Sequence, residues 1–580
     1  MGEGTPRPRI VSERQAPVQP KAVPKNTGVN SPGYDTRPCF ASSWVEQRTA
    51  EEDYTVASYQ VAGVDVRVLS PPDSSYGLYL VAPPEYDLNP SHLHALADAL
   101  RSITSHVPSG VEILSLDTMR PYIKAKARDL LYQHLASCAQ PNGMNTALND
   151  EAEKLSELLC KYTAGYGVLE TLLTDPVIQD IYVDSPSWKN PVQVVLRSDT
   201  GTSVRQKCRT NIYVGSRDVQ SFVSRVKFET GLPFSEAHPV LEADLRRLGA
   251  RVTLVGPPLS ARGISVAIRK HSHDLRTLPK LIRNGSLSPL LSSFLWACVL
   301  GRRTVLVAGS RGAGKTTLLG AMMLEFPLSQ RIVLIEDTPE VPASKMQALG
   351  YDIQTMRFSG TAEVGTGSAQ EALRASLRMG ESAIIIGEVR GAEARVLYES
   401  MRAGSAGSAV LGTIHGNSAK GVLDRALEDL GVSERAFSST DIVVVIGLIR
   451  SPDGTRFERR VVEVAEVRES QGKVELVALF STQPGCNCAK PTPEFSPQCK
   501  TVKGISEALG VGPEAMLEII RVRAHADQEL ADSEHADEVH GDMFRVRSNE
   551  VLSHHLFAHS DPQVGLREWR GWFLEHAKAA

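Results

Sequence analysis

The stretch Gly309–Thr316 reads Gly-Ser-Arg-Gly-Ala-Gly-Lys-Thr and fits the pattern G-x-x-x-x-G-K-S/T in full. An apolar run, Thr304–Ala308, precedes it as a buried strand, and Thr317–Met323 follows it with the composition of a helix. Three glycines let the backbone turn tightly and direct N–H groups at phosphate oxygens, close to a helix N-terminus. The pattern predicts a phosphate loop. Its predicted ligand contacts are Gly309, Ser310, Arg311, Gly312, Ala313, Gly314, Lys315, Thr316 and Thr317.

Two residues of this loop have predicted roles of their own. Lys315 is expected to hold the β- and γ-phosphates, and Thr316 is expected to ligate magnesium. Both roles require a strand before the loop and a helix after it, and the flanking sequence has this form.

Length and composition indicate a globular protein of several domains. The chain has 580 residues, of which 42% are hydrophobic and 22% charged, and its formal net charge is −4. This charge makes nucleic acid an unlikely partner. No window holds the ~20 apolar residues of a membrane span, and the Pro-rich N-terminus lacks the apolar core of a signal peptide. We therefore expect no direct membrane span, a cytoplasmic location, and membrane contact only through a partner.

Three cysteines in the C-terminal region are spaced closely enough to raise the question of a metal. Cys486, Cys488 and Cys499 form C-x-C-x10-C, and His525 or His535 could supply a fourth ligand. The C-x-C spacing differs from the usual C-x2-C of zinc sites, so a Pro-rich linker with incidental thiols is the favoured interpretation.

Changes in periodicity divide the chain into segments. Alternating apolar residues precede helical patterns in the N-terminal half, whereas strand and helix patterns alternate around the phosphate loop as in a doubly wound α/β domain. The predicted segments are a disordered tail at 1–50, an N-terminal α/β and helical region at 51–164, a smaller α/β domain at 165–275, a linker at 276–282, a motor domain at 283–480 and a mostly helical C-terminal extension at 481–580.

Carboxylates follow two apolar strands that come after the loop. Glu336, Asp337 and Glu340 follow Arg331–Ile335, and Glu388 follows a second apolar run. Strand ends of a parallel α/β sheet meet where ligands bind. One carboxylate there can hold magnesium through water, a role expected for Glu388 with Glu336 and Asp337 as further candidates, and another can activate water. The sequence leaves open whether Glu340 or Glu388 is the base.

A single histidine, His415, ends a third apolar strand in Gly412-Thr413-Ile414-His415-Gly416. Taken alone, such a histidine is usually structural. In order after the loop, however, IEDTPE, LRMGESAIIIGEVRG and GTIHGNSA resemble the Asp box, second Walker motif and His box of the secretion superfamily ATPases, the motors of type II and type IV secretion and type IV pili. The resemblance extends over roughly residues 165–480 and is closest to archaeal members.

The sequence departs from that family in two places. Ala406-Gly407-Ser408 stands where bacterial pilus motors usually read Thr-Gly-His, so only His415 can serve as the histidine of this box. The two C-x2-C pairs of many bacterial type II members are absent as well, and their zinc subdomain is not expected.

The resemblance implies a P-loop, RecA-like motor that binds ATP and Mg²⁺ and forms a homo-hexamer. It implies that a membrane platform protein holds the motor at the inner face of the cell membrane, where it drives a type IV pilus-like filament or type II/IV secretion. His415 would sense the γ-phosphate. Arg251 and Arg269, on predicted strands of the preceding domain, would reach that phosphate when the domain closes, because a guanidinium suits developing phosphate charge.

Two alternatives remain open. A nucleic-acid translocase of the same superfamily is one, since basic stretches such as Arg246–Arg251 occur. The other is a scaffold that binds ATP without hydrolysing it, against which the set of strand-end carboxylates argues. The sequence does not tell which substrate is moved, or whether a filament is extended or retracted.

Overall fold

The structure is a computed structural model, and contacts divide the chain into two units, 1–271 and 272–580. It describes residues 40–46, 54–105, 116–138, 145–197, 206–271, 275–358, 369–380, 382–389, 391, 394–395, 397–398, 401, 409–450, 457–483, 488–533 and 539–577.

The N-terminal unit is built on a nine-stranded sheet in the order β2-β3-β4-β7-β6-β5-β11-β10-β9, with a separate pair β1-β8. Its strands are β1 (Trp44–Val45), β2 (Thr55–Val61), β3 (Val64–Leu69), β4 (Gly77–Ala82), β5 (Ile178–Val183), β6 (Gln193–Leu196), β7 (Lys207–Thr210), β8 (Ile212–Tyr213), β9 (Val240–Leu245), β10 (Ala250–Val255) and β11 (Ser265–Lys270). Its α-helices are α1 (Pro90–Ser105), α2 (Leu116–Cys138), α3 (Asn145–Thr163), α4 (Leu169–Thr174) and α5 (Ser216–Thr230), and Pro84–Tyr86 and Arg246–Leu248 are 3-10 turns.

The C-terminal unit has a second nine-stranded sheet in the order β14-β13-β15-β16-β12-β17-β18-β19-β20. Its first six strands are parallel, and the last three continue it in antiparallel fashion. The strands are β12 (Val305–Gly309), β13 (Ile332–Glu336), β14 (Ile353–Arg357), β15 (Ala383–Val389), β16 (Val410–His415), β17 (Ile442–Arg450), β18 (Phe457–Ser470), β19 (Lys473–Ser481) and β20 (Lys490–Pro491).

The parallel strands of this sheet are apolar along their length because both faces are covered. In β12, Val305 and Val307 enter one hydrophobic cluster, whereas Leu306 and Ala308 enter the cluster on the opposite face. Helices cover the two faces: α6 (Leu278–Arg283), α7 (Pro289–Leu300), α8 (Lys315–Met323), α9 (Ala343–Ala348), α10 (Ala369–Ser376), α11 (Ala419–Asp424), continued by a π-turn at Arg425–Asp429, α12 (Glu434–Phe437), α13 (Lys500–Leu509), α14 (Pro513–Asp532), α15 (Val539–Ala558) and α16 (Pro562–Ala577). This is the predicted α/β motor architecture.

Part of the predicted disordered tail is ordered. Trp44 in β1 stacks on Tyr213 in β8 with ring centroids 5.2 Å apart, and the Ser43 hydroxyl donates to the Asp218 carboxylate at 2.5 Å. These few residues gain order from partners far along the chain, which a search for local periodicity does not detect. Residues 1–39 and 47–50 of the predicted tail lie outside the described residues.

The structure also differs from two predicted boundaries. The hairpin β2-β3 and strand β4 share one sheet with β5–β11, since β4 pairs in parallel with β7, so residues 51–164 and 165–271 form one unit. Most of the predicted linker 276–282 is helix α6. Its N-cap Thr277 accepts from the backbone N–H of Lys280, and Leu278, Leu281 and Ile282 are buried. Thr-Leu-Pro is a helix start that the linker interpretation overlooked.

The C-terminal region is mostly helical, as predicted, but it is not a separate extension. Met516 and Ile520 of α14 and Trp569 of α16 belong to the same hydrophobic cluster as Val305 of the central strand. The hydroxyls of Ser292 and Ser293 on α7 donate to Asp527 on α14 at 2.7 and 2.9 Å. The described helices include none that is both long and apolar enough to cross a bilayer.

Candidate active site

The phosphate loop turns between β12 and α8 on backbone conformations that suit glycine. Gly312 has φ 78° and Gly314 has φ 99°, a region that side chains with a Cβ seldom adopt. Gly309 packs so closely on β17 that a Cβ atom there would lie 2.7 Å from the carbonyl oxygen of Ile446. The sequence motif and the predicted strand and helix around it are therefore all present.

Lys315 lies folded against the loop. Its Nζ donates to the carbonyl oxygens of Gly309 and Ser310, each at 3.2 Å, and its side chain is only 8% exposed. An ammonium has three donors. The lysine therefore serves two functions in this chain: it stabilises the loop, and it places a positive charge where the motif expects phosphate.

His415 lies beside this lysine because β12 and β16 pair in parallel, with Gly309 opposite His415. The imidazole Nδ1 is 3.5 Å from Lys315 Nζ, and Nε2 is 2.5 Å from Oε1 of Glu388 on β15. Since an ammonium can only donate, we assign Nδ1 as the acceptor and Nε2 as the protonated nitrogen that faces the carboxylate. The predicted lysine, histidine and glutamate thus form one line.

A second pair of oxygen atoms lies at the start of α8. The Thr316 hydroxyl donates to Oε2 of Glu340 at 2.7 Å. A hydroxyl and a carboxylate are the ligand types that Mg²⁺ takes beside phosphate oxygens. Thr316 is a predicted magnesium ligand, and its contact adds Glu340, predicted as a candidate base, to the residues that could hold the ion.

The sequence suggests Glu336 as a candidate metal ligand, but in the structure its carboxylate has other partners. It is buried, and its Oε1 accepts from the backbone N–H groups of Glu340 and Val341 at 3.1 and 3.0 Å. Burial raises the pKa of this carboxyl to about 7, against the two backbone N–H groups, which lower it. Gly387 provides the space, because a Cβ atom there would lie 2.9 Å from Cγ of Glu336. Glu336 therefore positions the segment that carries Glu340.

The remaining predicted residues of this edge are more exposed. Asp337 Oδ1 accepts from the backbone N–H of Thr338 at 2.7 Å, a turn contact. In the loop, Ser310 is half-buried, while Arg311 and Thr317 are exposed. Their predicted contacts with a ligand stay predictions.

Arg459 is the residue of this site that the sequence did not indicate. It lies on β18, and its Nε donates to the carbonyl oxygen of Gly312 at 2.9 Å. Its aliphatic part passes Gly314, where an added Cβ would lie 3.3 Å from Arg459 Cδ. The contact joins residues 147 positions apart. The surrounding FERRVVEV indicates a strand and carries no signal for the contact.

Arg251 and Arg269 lie directly opposite each other on β10 and β11 of the N-terminal unit, so their predicted strand pairing is confirmed. Arg251 Nη2 is 2.9 Å from Oε2 of Glu242, and Arg269 Nε is 3.4 Å from Oδ1 of Asp180. Their contact with a γ-phosphate stays a prediction.

The C-terminal cysteines that were considered as metal ligands are only partly described. Cys499 is buried and is the N-cap of α13, where its sulfur accepts from the backbone N–H of Val502 at 3.4 Å. Burial raises the pKa of this thiol, which opposes the thiolate form that zinc requires. Cys488 is half-buried, and Cys486 and His535 lie outside the described residues.

Comparison with known proteins identifies the family of this chain. The sequence profile of the Type II/IV secretion system protein family matches residues 180–525, more than half of the chain. The chain belongs to this family.

Individual relatives come from bacteria and archaea. A putative conjugal transfer protein of Mycobacterium tuberculosis is 29% identical over 330 residues, which cover 55% of this chain and 90% of that protein. The type IV secretion system protein VirB11 of Brucella suis is 36% identical over 199 residues, 30% of this chain and 54% of that protein. An uncharacterised protein of Methanocaldococcus jannaschii is 30% identical over 245 residues, 42% of this chain and 87% of that protein.

Solved structures with detectable similarity include two ATPases. The VirB11 ATPase of Brucella suis in complex with sulphate is 28% identical, with a TM-score of 0.25 over 51% of this chain and 93% of that chain. The pilus retraction motor PilT with bound ADP is 20% identical, with a TM-score of 0.35 over 51% of this chain and 82% of that chain. At these scores the superpositions add nothing to the family assignment.

Proposed function

We propose that this member of the secretion family is a Mg²⁺-dependent ATP hydrolase whose active site is the phosphate loop and the strand ends beside it. The observation that carries the proposal is the line Lys315–His415–Glu388, which joins a phosphate-binding lysine to a carboxylate through one imidazole. A glycine-rich turn that binds no ligand would not require these contacts between the lysine, the histidine and the glutamate.

The loop residues have separable tasks. Backbone N–H groups of the loop and Lys315 hold the β- and γ-phosphates. Thr316 and Glu340 offer oxygen ligands to magnesium, which supplies charge neutralisation at the transferring phosphate. Glu336 keeps Glu340 in reach, since it binds the backbone N–H of that residue.

The two candidate bases, Glu340 and Glu388, contact different residues. Glu340 contacts Thr316 on the metal side, whereas Glu388 contacts His415, which lies next to the lysine. We therefore assign Glu388 to orienting the attacking water and accepting its proton. With Nδ1 toward Lys315 and Nε2 toward Glu388, His415 contacts both a phosphate-binding group and the base. It can thereby report the presence of the γ-phosphate to the carboxylate.

The remaining parts of the proposal come from the family resemblance. In it, six copies form a ring, and Arg251 and Arg269 complete the site when the N-terminal unit closes on ATP. A membrane platform protein then transmits the movement to a pilus-like filament or to type II/IV secretion. Similarity to proteins of conjugal transfer and type IV secretion supports this setting.

The test is an ATPase assay on the purified full chain with Mg²⁺. Glu388→Gln keeps the size of the side chain and removes its charge, so we expect ATP binding with turnover reduced on the order of 10²-fold or more. Glu475→Gln on β19, an exposed glutamate, is the matched control and should hydrolyse ATP normally. Normal turnover by Glu388→Gln would move the base to Glu340. A chain that binds ATP but never releases phosphate, with or without the substitution, would instead favour the scaffold alternative.

A further inference from the structure

His555 of α15, His559 directly after the end of that helix and Glu568 of α16 converge at the surface of the C-terminal unit. His555 Nδ1 is 3.0 Å and His559 Nε2 is 2.8 Å from the same carboxylate oxygen, Oε2 of Glu568. Within the described part of the chain, they are the one group of three His, Cys, Asp or Glu residues whose ligand atoms all lie within 4.8 Å of one another. The proposed active site does not use this group.

Backbone packing between α15 and α16 fixes the geometry of this three-residue group. His555 lies in the last turn of α15, and His559 is the first residue after this helix, four positions later. Gly565 of α16 packs directly on this turn, because a Cβ there would lie 2.2 Å from the carbonyl oxygen of His555. Glu568 follows Gly565 by three positions and therefore also faces the two imidazoles. The three side chains are held together by the fold before any ion binds.

The ligand types and the spacing suit zinc. Two imidazole nitrogens and one carboxylate oxygen form a common three-residue zinc set, and tetrahedral bonds of about 2.1 Å separate ligand atoms by about 3.4 Å. The observed separations of 3.0 and 2.8 Å are a few tenths of an ångström shorter, a difference that small side-chain rotations would close when an ion enters. Magnesium, in contrast, prefers oxygen ligands. The imidazoles are 25% and 33% exposed and the glutamate is 47% exposed, so an ion can enter and water can fill a fourth position.

We propose that His555, His559 and Glu568 form a Zn²⁺ site that joins the C-terminal end of α15 to α16. Neutral imidazoles and an ionised carboxylate bind the ion, with water as the fourth ligand. The ion replaces the direct contacts between the two histidines and the glutamate. It links the end of α15 to α16, which shares a hydrophobic cluster with α14 and the sheet.

The experiment is zinc titration of the untagged, metal-stripped full chain, in excess Mg²⁺ so that oxygen sites are occupied. We expect about one Zn²⁺ per chain and, with Co²⁺ as a probe, visible absorption bands of a four-coordinate site. His555→Ala/His559→Ala should abolish this site, and Glu568→Gln should weaken zinc binding at least about tenfold. The amide of Glu568→Gln can still bond to imidazole, so it separates metal binding from a metal-free hydrogen-bonded cluster.

Control variants assign any zinc that binds elsewhere. His525→Ala changes an exposed histidine of α14 and should leave the titration unchanged. Cys486→Ser/Cys488→Ser should also leave it unchanged. Zinc binding that survives His555→Ala/His559→Ala, or that disappears with the cysteines, would overturn the proposal. Equal zinc affinity of Glu568→Gln and the natural chain would do the same, because the carboxylate would then not be a ligand. Circular dichroism of each variant verifies that the fold is retained.

Discussion

Two regions of the C-terminal unit contain paired charged residues: the edge of the sheet beside the phosphate loop, and the helical layer formed by α7, α14 and α15. The partners of the charged residues differ between the two regions. At the edge, Lys315 contacts loop carbonyls and His415, and His415 is 35% exposed. In the helical layer, Arg523 is 2% exposed. Its guanidinium lies 4.1 Å from the Trp296 ring centroid and contacts Glu325 at 3.1 Å.

This difference shows how to separate a site from a structural network of the same residue types. At the edge, Lys315, His415 and Glu388 lie beside the phosphate loop, where a bound nucleotide would add a further contact. Their alignment follows from the register of the parallel strands. The helical-layer charges are almost fully buried, and Asn549 donates to Glu325 while Asp527 lies 3.6 Å from Arg523 Nε. Substitution should therefore change activity at the edge and stability in the helical layer.

The largest effect is expected from Arg523→Met. It leaves Glu325 and Asp527 buried without their cation, and loss of one partner of a buried ion pair costs about 3–5 kcal/mol. Chemical denaturation should show this loss in free energy of unfolding. Arg521→Met, two positions away on the exposed side of α14, should change it by less than about 0.5 kcal/mol. Comparable stability of both variants would contradict a structural role for the buried network.

Lys315→Ala should have the opposite effect from Arg523→Met: a large loss of activity and a small loss of stability. Removal of the charge that holds the phosphates should lower ATP turnover on the order of 10²–10³-fold. Stability should fall modestly, by about 1–2 kcal/mol, because the amine also donates to Gly309 and Ser310. Lys345→Ala on α9 is the exposed control. Steady-state kinetics and thermal melts on both variants would test the contrast, and turnover close to that of the natural chain would refute it.

Arg459→Met tests whether the edge depends on a residue outside the motifs. The variant keeps the aliphatic packing against Gly314 and loses the hydrogen bond to the Gly312 carbonyl, a charged donor worth about 1.5–3 kcal/mol. Because this bond holds the loop in its phosphate-binding conformation, we expect KM for ATP to rise, by at most roughly 10- to 100-fold if the whole loss falls on the ATP-bound state. Arg460→Met, the next residue and therefore on the other face of β18, should leave KM unchanged. Identical KM values for the two variants would remove Arg459 from the site.

The smallest effect is a change in pH dependence. Burial raises the pKa of Glu325 to about 7, so the folded chain keeps a proton that the unfolded chain loses near its ordinary value of 4.5. The resulting stabilisation is complete below about 4.5 and disappears as the pH rises through about 7. Glu325→Gln should flatten the decline in melting temperature between about pH 5 and pH 8. Glu475→Gln should keep the slope of the natural chain, and an unchanged slope in Glu325→Gln would show that this carboxyl does not titrate there.

The sequence predicts the edge well because short motifs encode it. A phosphate loop needs its glycines and lysine at fixed spacing, and each strand-end residue follows a recognisable apolar run. Lys315, His415 and Glu388 were found in this way, and parallel pairing brings them together. The contact between Thr316 and Glu340, by contrast, is a finding of the structure, although each residue was expected at this site.

The parts that the sequence missed depend on contacts between distant residues. Arg459 meets the loop over 147 positions, and Arg523 meets Glu325 over 198. Neither arginine has a local pattern that distinguishes it from a solvated charge. Strand β1 and helix α6 were overlooked for a related reason: both are short, and their partners or caps order them more than periodicity does.

The shared core of the sheet and the C-terminal helices has a consequence during synthesis. The hydrophobic cluster that contains Val305 and Val307 also contains Met516, Ile520 and Trp569, which leave the ribosome much later. At ~5–20 residues per second, that interval is on the order of tens of seconds. During this time the apolar side chains of the cluster that contact these three residues lack their cover. Chaperones that shield such surfaces should therefore engage this chain late in translation, after the phosphate loop has emerged and before its last helix is made.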